Sequence, residues 1–173
     1  LKAKAALRPE DISLYIGIPF CPTRCAYCSF VSQAVEKSFG LMEPYLQVLL
    51  GEITRAAQMV KELGLRVKSF YMGGGTPTTL SAGQMDRLLT HLNQNFDISR
   101  CAEYCIEAGR PDTIDREKLQ VLLDHGCHRI SVNPQSLEDS VLQAIGRRHT
   151  AADIEKTMGL ATSMGFQHVN MDL

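Results

Sequence analysis

Five short apolar runs, separated by stretches of helical periodicity, leave few folds open to this chain. Ile12 to Ile18, Val67 to Met72, Ala102 to Ala108, Arg129 to Asn133 and His168 to Leu173 read as strands. Met42 to Leu63 has apolar residues at helical spacing, and Gly64 stands where a left-handed cap belongs. Ser81 is placed to cap a helix running to Asn95, and Thr113 to His125 reads as a further helix ended by Gly126. Ser136 with Asp139 resembles a capping box opening a short helix to Ile145; Thr150 with Asp153 resembles another, opening a helix to Met164. Parallel neighbours need long crossovers and cannot be joined by tight turns, so this order of elements gives an α/β fold with five parallel strands. The chain reaches Leu173 in its fifth strand with no covering helix, which reads as a fragment of a larger unit.

The size suits one domain: 173 residues, with 45% apolar and 21% charged side chains. With Lys plus Arg at 18 and Asp plus Glu at 19, the net charge of -1 provides no excess of cations to hold a nucleic acid backbone. No stretch approaches the ~18 uninterrupted apolar residues of a membrane-spanning helix. Leu1 to Glu10 lacks the apolar run of a secretory signal, and the compartment expected is the cytoplasm.

The six cysteines form two populations. Cys21, Cys25 and Cys28 share one loop after the first strand, close enough to clasp a single inorganic centre. A structural zinc site takes four protein ligands, and no fourth Cys or His is near: His91 and Cys101 come next. An iron-sulfur cube held at three corners would leave one iron open for a ligand. The competing readings are a zinc site and plain buried cysteines. Cys101, Cys105 and Cys127 lie in segments that read as core.

Met72-Gly73-Gly74-Gly75-Thr76-Pro77-Thr78 follows the second strand, so its backbone can approach a ligand with no side chain in the way. It lacks the Lys of a phosphate-binding loop and the spacing of a dinucleotide fingerprint. A tight turn after a strand would explain it equally well. On the third strand Cys101, Glu103, Cys105 and Glu107 share one face, with Glu107 nearest the carboxyl end. Glu107, Gln135 and Asp172, like the cysteine and glycine loops, fall at or beyond the carboxyl ends of strands, where α/β folds place their sites.

The CxxxCxxC spacing followed by GGGTP resembles the radical S-adenosylmethionine enzymes. The segments YIGIPFCPTRCAYCSF, YMGGGTPTTL, IEAGRPDTI, NPQSL, IGRRHT and VNMDL resemble the oxygen-independent coproporphyrinogen III oxidase (dehydrogenase) family, including its haem-chaperone relatives, over Leu14 to Leu173. The resemblance implies that residues 1–173 form a core domain folded as a partial (βα) TIM-like barrel, with a later strand and a C-terminal domain outside these residues. It implies a [4Fe-4S] cluster on Cys21, Cys25 and Cys28, with S-adenosylmethionine on the open iron. Tyr15, Tyr27, Gly74, Gly75, Thr76, Glu107, Gln135, Arg147 and Asp172 would line the S-adenosylmethionine site. Arg147 offers a planar fork to a carboxylate, and Glu107 or Asp172 can accept from hydroxyls or an amine; read alone, Arg147, Arg148 and His149 could equally be a solvated turn.

The activity so implied is generation of a 5′-deoxyadenosyl radical for oxidative decarboxylation of propionate side chains in haem biosynthesis. Its partners would be a tetrapyrrole such as coproporphyrinogen III and an electron donor such as flavodoxin or ferredoxin. Two positions depart from the oxidase pattern: Gly17 stands in place of His, and Phe30 where a further Cys often follows. They bring in a second reading, a haem-binding chaperone. A zinc-stabilised structural domain is the third.

Overall fold

The computed structural model describes residues 7–30 and 33–173. Its elements in chain order are β1 (Asp11–Ile18), the two-residue β2 (Phe20–Cys21) and β3 (Gln33–Ala34), α1 (Val35–Ser38), α2 (Met42–Glu62), β4 (Arg66–Gly74), α3 (Ala82–Asn95), β5 (Glu103–Gly109), α4 (Arg116–Asp124), β6 (Arg129–Val132), α5 (Asp139–Ala144), α6 (Ala151–Ser163) and β7 (His168–Met171). The five longer strands form one sheet in the order β1-β4-β5-β6-β7, every pair parallel. Strand order follows chain order without the reversal of a doubly wound sheet, as in a partial (βα) barrel. The short β2 and β3 pair separately beside the cysteine loop.

Helices α2, α3, α4 and α6 pack on one face of the sheet. Met42, Leu46, Leu49, Ile53 and Ala57 recur every three or four residues along α2, and all are buried. Met85, Leu88, Leu89 and Leu92 of α3, Leu119 and Leu122 of α4 and Ala161 of α6 continue this layer against Ile16, Phe70, Met72, Ile106 and Ile130 of the sheet. The other face is polar. The Ser69 hydroxyl donates to Ser13 Oγ at 2.8 Å, the Tyr15 and Tyr71 rings stack with centroids 6.1 Å apart, and Arg129 Nη1 donates to Asn170 Oδ1 at 3.0 Å.

Several end signals act as the sequence suggests. Gly64 and Gly126 adopt φ of 65° and 79°, and Ser81 with Gln84 and Thr150 with Asp153 close reciprocal capping boxes. Two differ. Asp139 does not close a box with Ser136: its carboxylate accepts from the Ala151 amide at 2.8 Å, while Ser136 Oγ accepts from the Glu138 amide at 3.0 Å. The α4 helix starts at Arg116 because Pro111 first sets a 3-10 turn over Pro111–Thr113, and Asp115 then takes the Lys118 amide at 2.8 Å. Gly73 and Gly74, expected beyond the strand, are its last two residues, paired with Gly17 and Ile18. Among the described residues, no helix is long and apolar enough to cross a membrane.

Candidate functional site

The carboxyl ends of the strands surround a cavity of about 230 Å³. Its walls bring together Cys21, Cys25, Cys28, Tyr27, Gly74, Gly75, Thr76, Glu107, Gln135, Arg147 and Asp172, which is every candidate site residue except Tyr15. Tyr15 lies in an adjoining cavity of about 490 Å³ with Tyr71, Phe30, Gly74 and Glu107. That second space opens over the polar face of the sheet, so Tyr15 is a neighbour of the cysteine cavity and not part of its wall.

Hydrogen bonds to two other segments hold the cysteine loop. The amides of Gly75 and Thr76 donate to Ile18 O and Phe20 O at 2.7 and 2.8 Å, fastening the loop's start to the glycine turn. Downstream, the Ala26 amide donates to Ile145 O at 3.0 Å and Thr23 Oγ1 to Gly146 O at 2.9 Å. Gly75 has a steric requirement here: a Cβ would lie 2.6 Å from Phe20 O, 2.9 Å from Ile18 O and 3.0 Å from Cys21 Sγ. Only glycine lets the turn press against the loop.

Two of the three sulfurs receive hydrogen bonds from outside the loop. Thr76 Oγ1 donates to Cys21 Sγ at 3.6 Å, and Arg110 Nη2 donates to Cys25 Sγ at 3.0 Å. Arg110 is buried and also donates through Nη1 to Thr23 Oγ1 at 2.5 Å and through Nη2 to the Thr23 carbonyl. Sequence reasoning passed over Arg110; its signal was an arginine between Gly109 and Pro111 at a strand's carboxyl end.

Opposite the sulfurs lies a polar wall. The Tyr27 hydroxyl donates to Gln135 Oε1 at 2.7 Å and accepts from Arg147 Nη2 at 3.1 Å, while Arg147 Nη1 donates to Asn133 O at 3.0 Å. These bonds and a buried Nε hold the Arg147 guanidinium in place, so the idea of a solvated turn fails for it. It fails for His149 too, which is buried between Pro134 O at 3.2 Å and Asp112 at 3.6 Å. Gln135 adopts a left-handed φ of 74°, rare for a residue with a Cβ, and its amide donates to Asp172 O at 3.0 Å. The ends of β6 and β7 are thereby joined at the cavity.

Glu107 accepts from the Tyr71 hydroxyl. Burial pushes its carboxyl above the usual carboxylate range, and Asp172 adds to that push, while the Tyr71 and Gly74 donors oppose it. Burial and the Glu107 contact likewise raise the Tyr71 phenol. The remaining thiols behave as core. Burial pushes Cys105 up to about 11 and Cys127 up to about 12, and Cys127 Sγ donates to Arg129 O at 3.1 Å. Cys101 is partly buried and contacts Val67 O at 3.7 Å.

The donor set fits an inorganic cluster with an amino-acid ligand. Three soft sulfurs line one cavity. Glu107, Asp172 and Arg147 line the same space.

Comparison with known proteins agrees with this geometry. The sequence profile described as the Radical SAM superfamily matches residues 15–173. The "Oxygen-independent coproporphyrinogen-III oxidase-like protein HemZ" of Bacillus subtilis is 43% identical over 95% of this chain and 33% of its own length. The "Heme chaperone HemW" of the same organism is 34% identical over 93% of this chain and 41% of its own length. Among solved structures, coproporphyrinogen III oxidase (HemN) from Escherichia coli, described as a radical SAM enzyme, superposes with a TM-score of 0.84 at 31% identity, over 99% of this chain and 39% of that one. The chain thus spans about a third to two fifths of these relatives.

Proposed function

We propose, on the premise that this chain belongs to the radical SAM superfamily, that it forms the cofactor-binding core of an oxygen-independent coproporphyrinogen III oxidase-type enzyme. Membership implies a [4Fe-4S] cluster and S-adenosylmethionine. Together these supply, when bound, a 5′-deoxyadenosyl radical able to abstract hydrogen from a substrate. Cys21, Cys25 and Cys28 hold the cluster in this reading. Tyr27, Gly74, Gly75, Thr76, Glu107, Gln135, Arg147 and Asp172 receive S-adenosylmethionine, with Tyr15 at the margin of the site.

The observation that carries the reading is the convergence of three sulfurs, two carboxylates and the Arg147 fork on one cavity. The residues divide the work by chemistry. Arg147 orients a ligand carboxylate, while Tyr27 and Asn133 fix the plane of its guanidinium. Glu107 and Asp172 accept from amine or hydroxyl donors. The glycine turn holds the cysteine loop at a distance no side chain would allow.

The substrate we infer is a tetrapyrrole bearing propionates, with coproporphyrinogen III first among them, and the electron donor is of the flavodoxin or ferredoxin kind. The names of the HemZ and HemN relatives support this. Anaerobic turnover of coproporphyrinogen III by the full-length protein, followed as loss of two carboxyl groups, tests it. A second reading, a haem chaperone, draws on the HemW relative and on Gly17 and Phe30. Haem retention by the full-length protein without turnover would favour that reading.

A further inference from the structure

We propose that Arg110 is a positioning residue that sets the reduction potential of the iron-sulfur group, through a charged hydrogen bond to Cys25 Sγ and a clamp on the Thr23 main chain. The proposal rests on the cluster reading above and goes beyond it, to a residue outside the cysteine motif.

A guanidinium carries only donors and stays charged throughout the accessible pH range. Arg110 is 3% exposed, and burying such a charge is costly unless it is paired and hydrogen-bonded. Its donors go to Thr23 and to the Cys25 sulfur, so that sulfur is cast as an acceptor. Burial opposes the ionised form of Asp112, two positions on, but His149 and then the Arg110 charge hold its carboxyl below the usual carboxylate range.

The placement follows from the backbone. Arg110 comes directly after Gly109, whose φ of 72° turns the chain at the end of β5. A Cβ at Gly109 would lie 2.6 Å from Thr76 Cγ2, so the turn is locked against the same glycine loop that borders Cys21. Arg110 is thus anchored to the rigid sheet and reaches across 85 sequence positions to the middle cysteine.

Hydrogen bonds and positive charge at a ligand sulfur stabilise the more negative, reduced state of a cluster and raise its potential. Arg110 therefore eases the electron's arrival at a centre that is otherwise hard to reduce.

The test uses the full-length protein, reconstituted anaerobically with iron and sulfide, and reads the cluster potential by an EPR-monitored redox titration alongside iron per chain. Arg110→Gln is expected to keep its iron and to raise the oxidised-to-reduced ratio at least tenfold at a fixed solution potential, a downward shift of about 59 mV for one electron. Arg110→Lys keeps the charge but cannot serve Thr23 and Cys25 together, and is expected to fall between wild type and the glutamine variant. An unchanged potential in an iron-loaded Arg110→Gln protein overturns the proposal. Should that variant load too little iron to titrate, the lysine variant decides, and a wild-type potential there overturns it equally. Folded but iron-free protein from both would also overturn it, leaving Arg110 a scaffold residue. Wild-type protein that takes up no iron would sink the cluster reading itself.

Discussion

Tyr27 and Gln135, 108 positions apart, meet through a 2.7 Å hydrogen bond that ties the cysteine loop to the segment beyond β6. Arg147 donates to the same phenol, so one hydroxyl serves two groups of the polar wall. Tyr27→Phe removes it while leaving the ring. With net values of about 1 kcal/mol per hydrogen bond, S-adenosylmethionine binding to the reconstituted full-length protein should weaken roughly fivefold. Iron per chain should not change. Equal affinities measured by equilibrium dialysis would remove Tyr27 from the site.

The two thiol populations should separate on iron content. Cys25→Ala should abolish cluster assembly and leave the circular dichroism of the fold intact. Cys105→Ala, whose buried thiol is pushed up to about 11, should leave the iron alone and cost about 1 kcal/mol of stability. Equal iron loss in both variants would contradict the division.

Much of this division was legible in the sequence because it depends on local spacing. The cysteine triad, the glycine turn and the strand ends each sit within one segment, and periodicity located those segments to within a few residues. Arg110 was not legible in that way. Its role comes from contacts with Thr23 and Cys25, 87 and 85 positions away, which no local pattern encodes. The failed box at Ser136 has a similar cause: the Ala151 amide, twelve positions on, takes the Asp139 carboxylate. Tyr15 illustrates a finer limit, since alternation along β1 gives its face of the sheet but not that it lines the cavity beside the cysteine cavity rather than the cysteine cavity itself.

Glu107 gives the apoprotein a pH signature. Burial raises its carboxyl above the ordinary 4.5, so between that value and the folded-state value the native chain keeps a proton that the unfolded chain has released. Stability contributed by this group therefore falls as pH rises through the interval. Glu107→Gln lacks that fall. Urea midpoints from about pH 4 to about pH 8 should show the variant gaining on wild type as pH increases. Parallel profiles would refute the assignment.

Two glycine-to-alanine changes should act in opposite directions. At Gly75 the added Cβ meets Phe20 O at 2.6 Å and Ile18 O at 2.9 Å, both backbone atoms that cannot swing away. The expected cost is about 1–3 kcal/mol, with reduced iron loading because Cys21 Sγ is also displaced. Gly83, near the start of α3, meets nothing within 4 Å, and alanine there should stabilise by about 0.5–1 kcal/mol. Thermal unfolding of the apoproteins checks both signs.

The most direct measurement is anaerobic reconstitution of the full-length protein, with metal and sulfide analysis and EPR of the reduced centre before and after S-adenosylmethionine is added. Three cysteine sulfurs on a cavity shared with Arg147, Glu107 and Asp172 predict about four irons and four sulfides per chain, and a spectrum that changes when the nucleoside binds. One tightly held zinc per chain, or a four-iron spectrum indifferent to S-adenosylmethionine, would contradict the account.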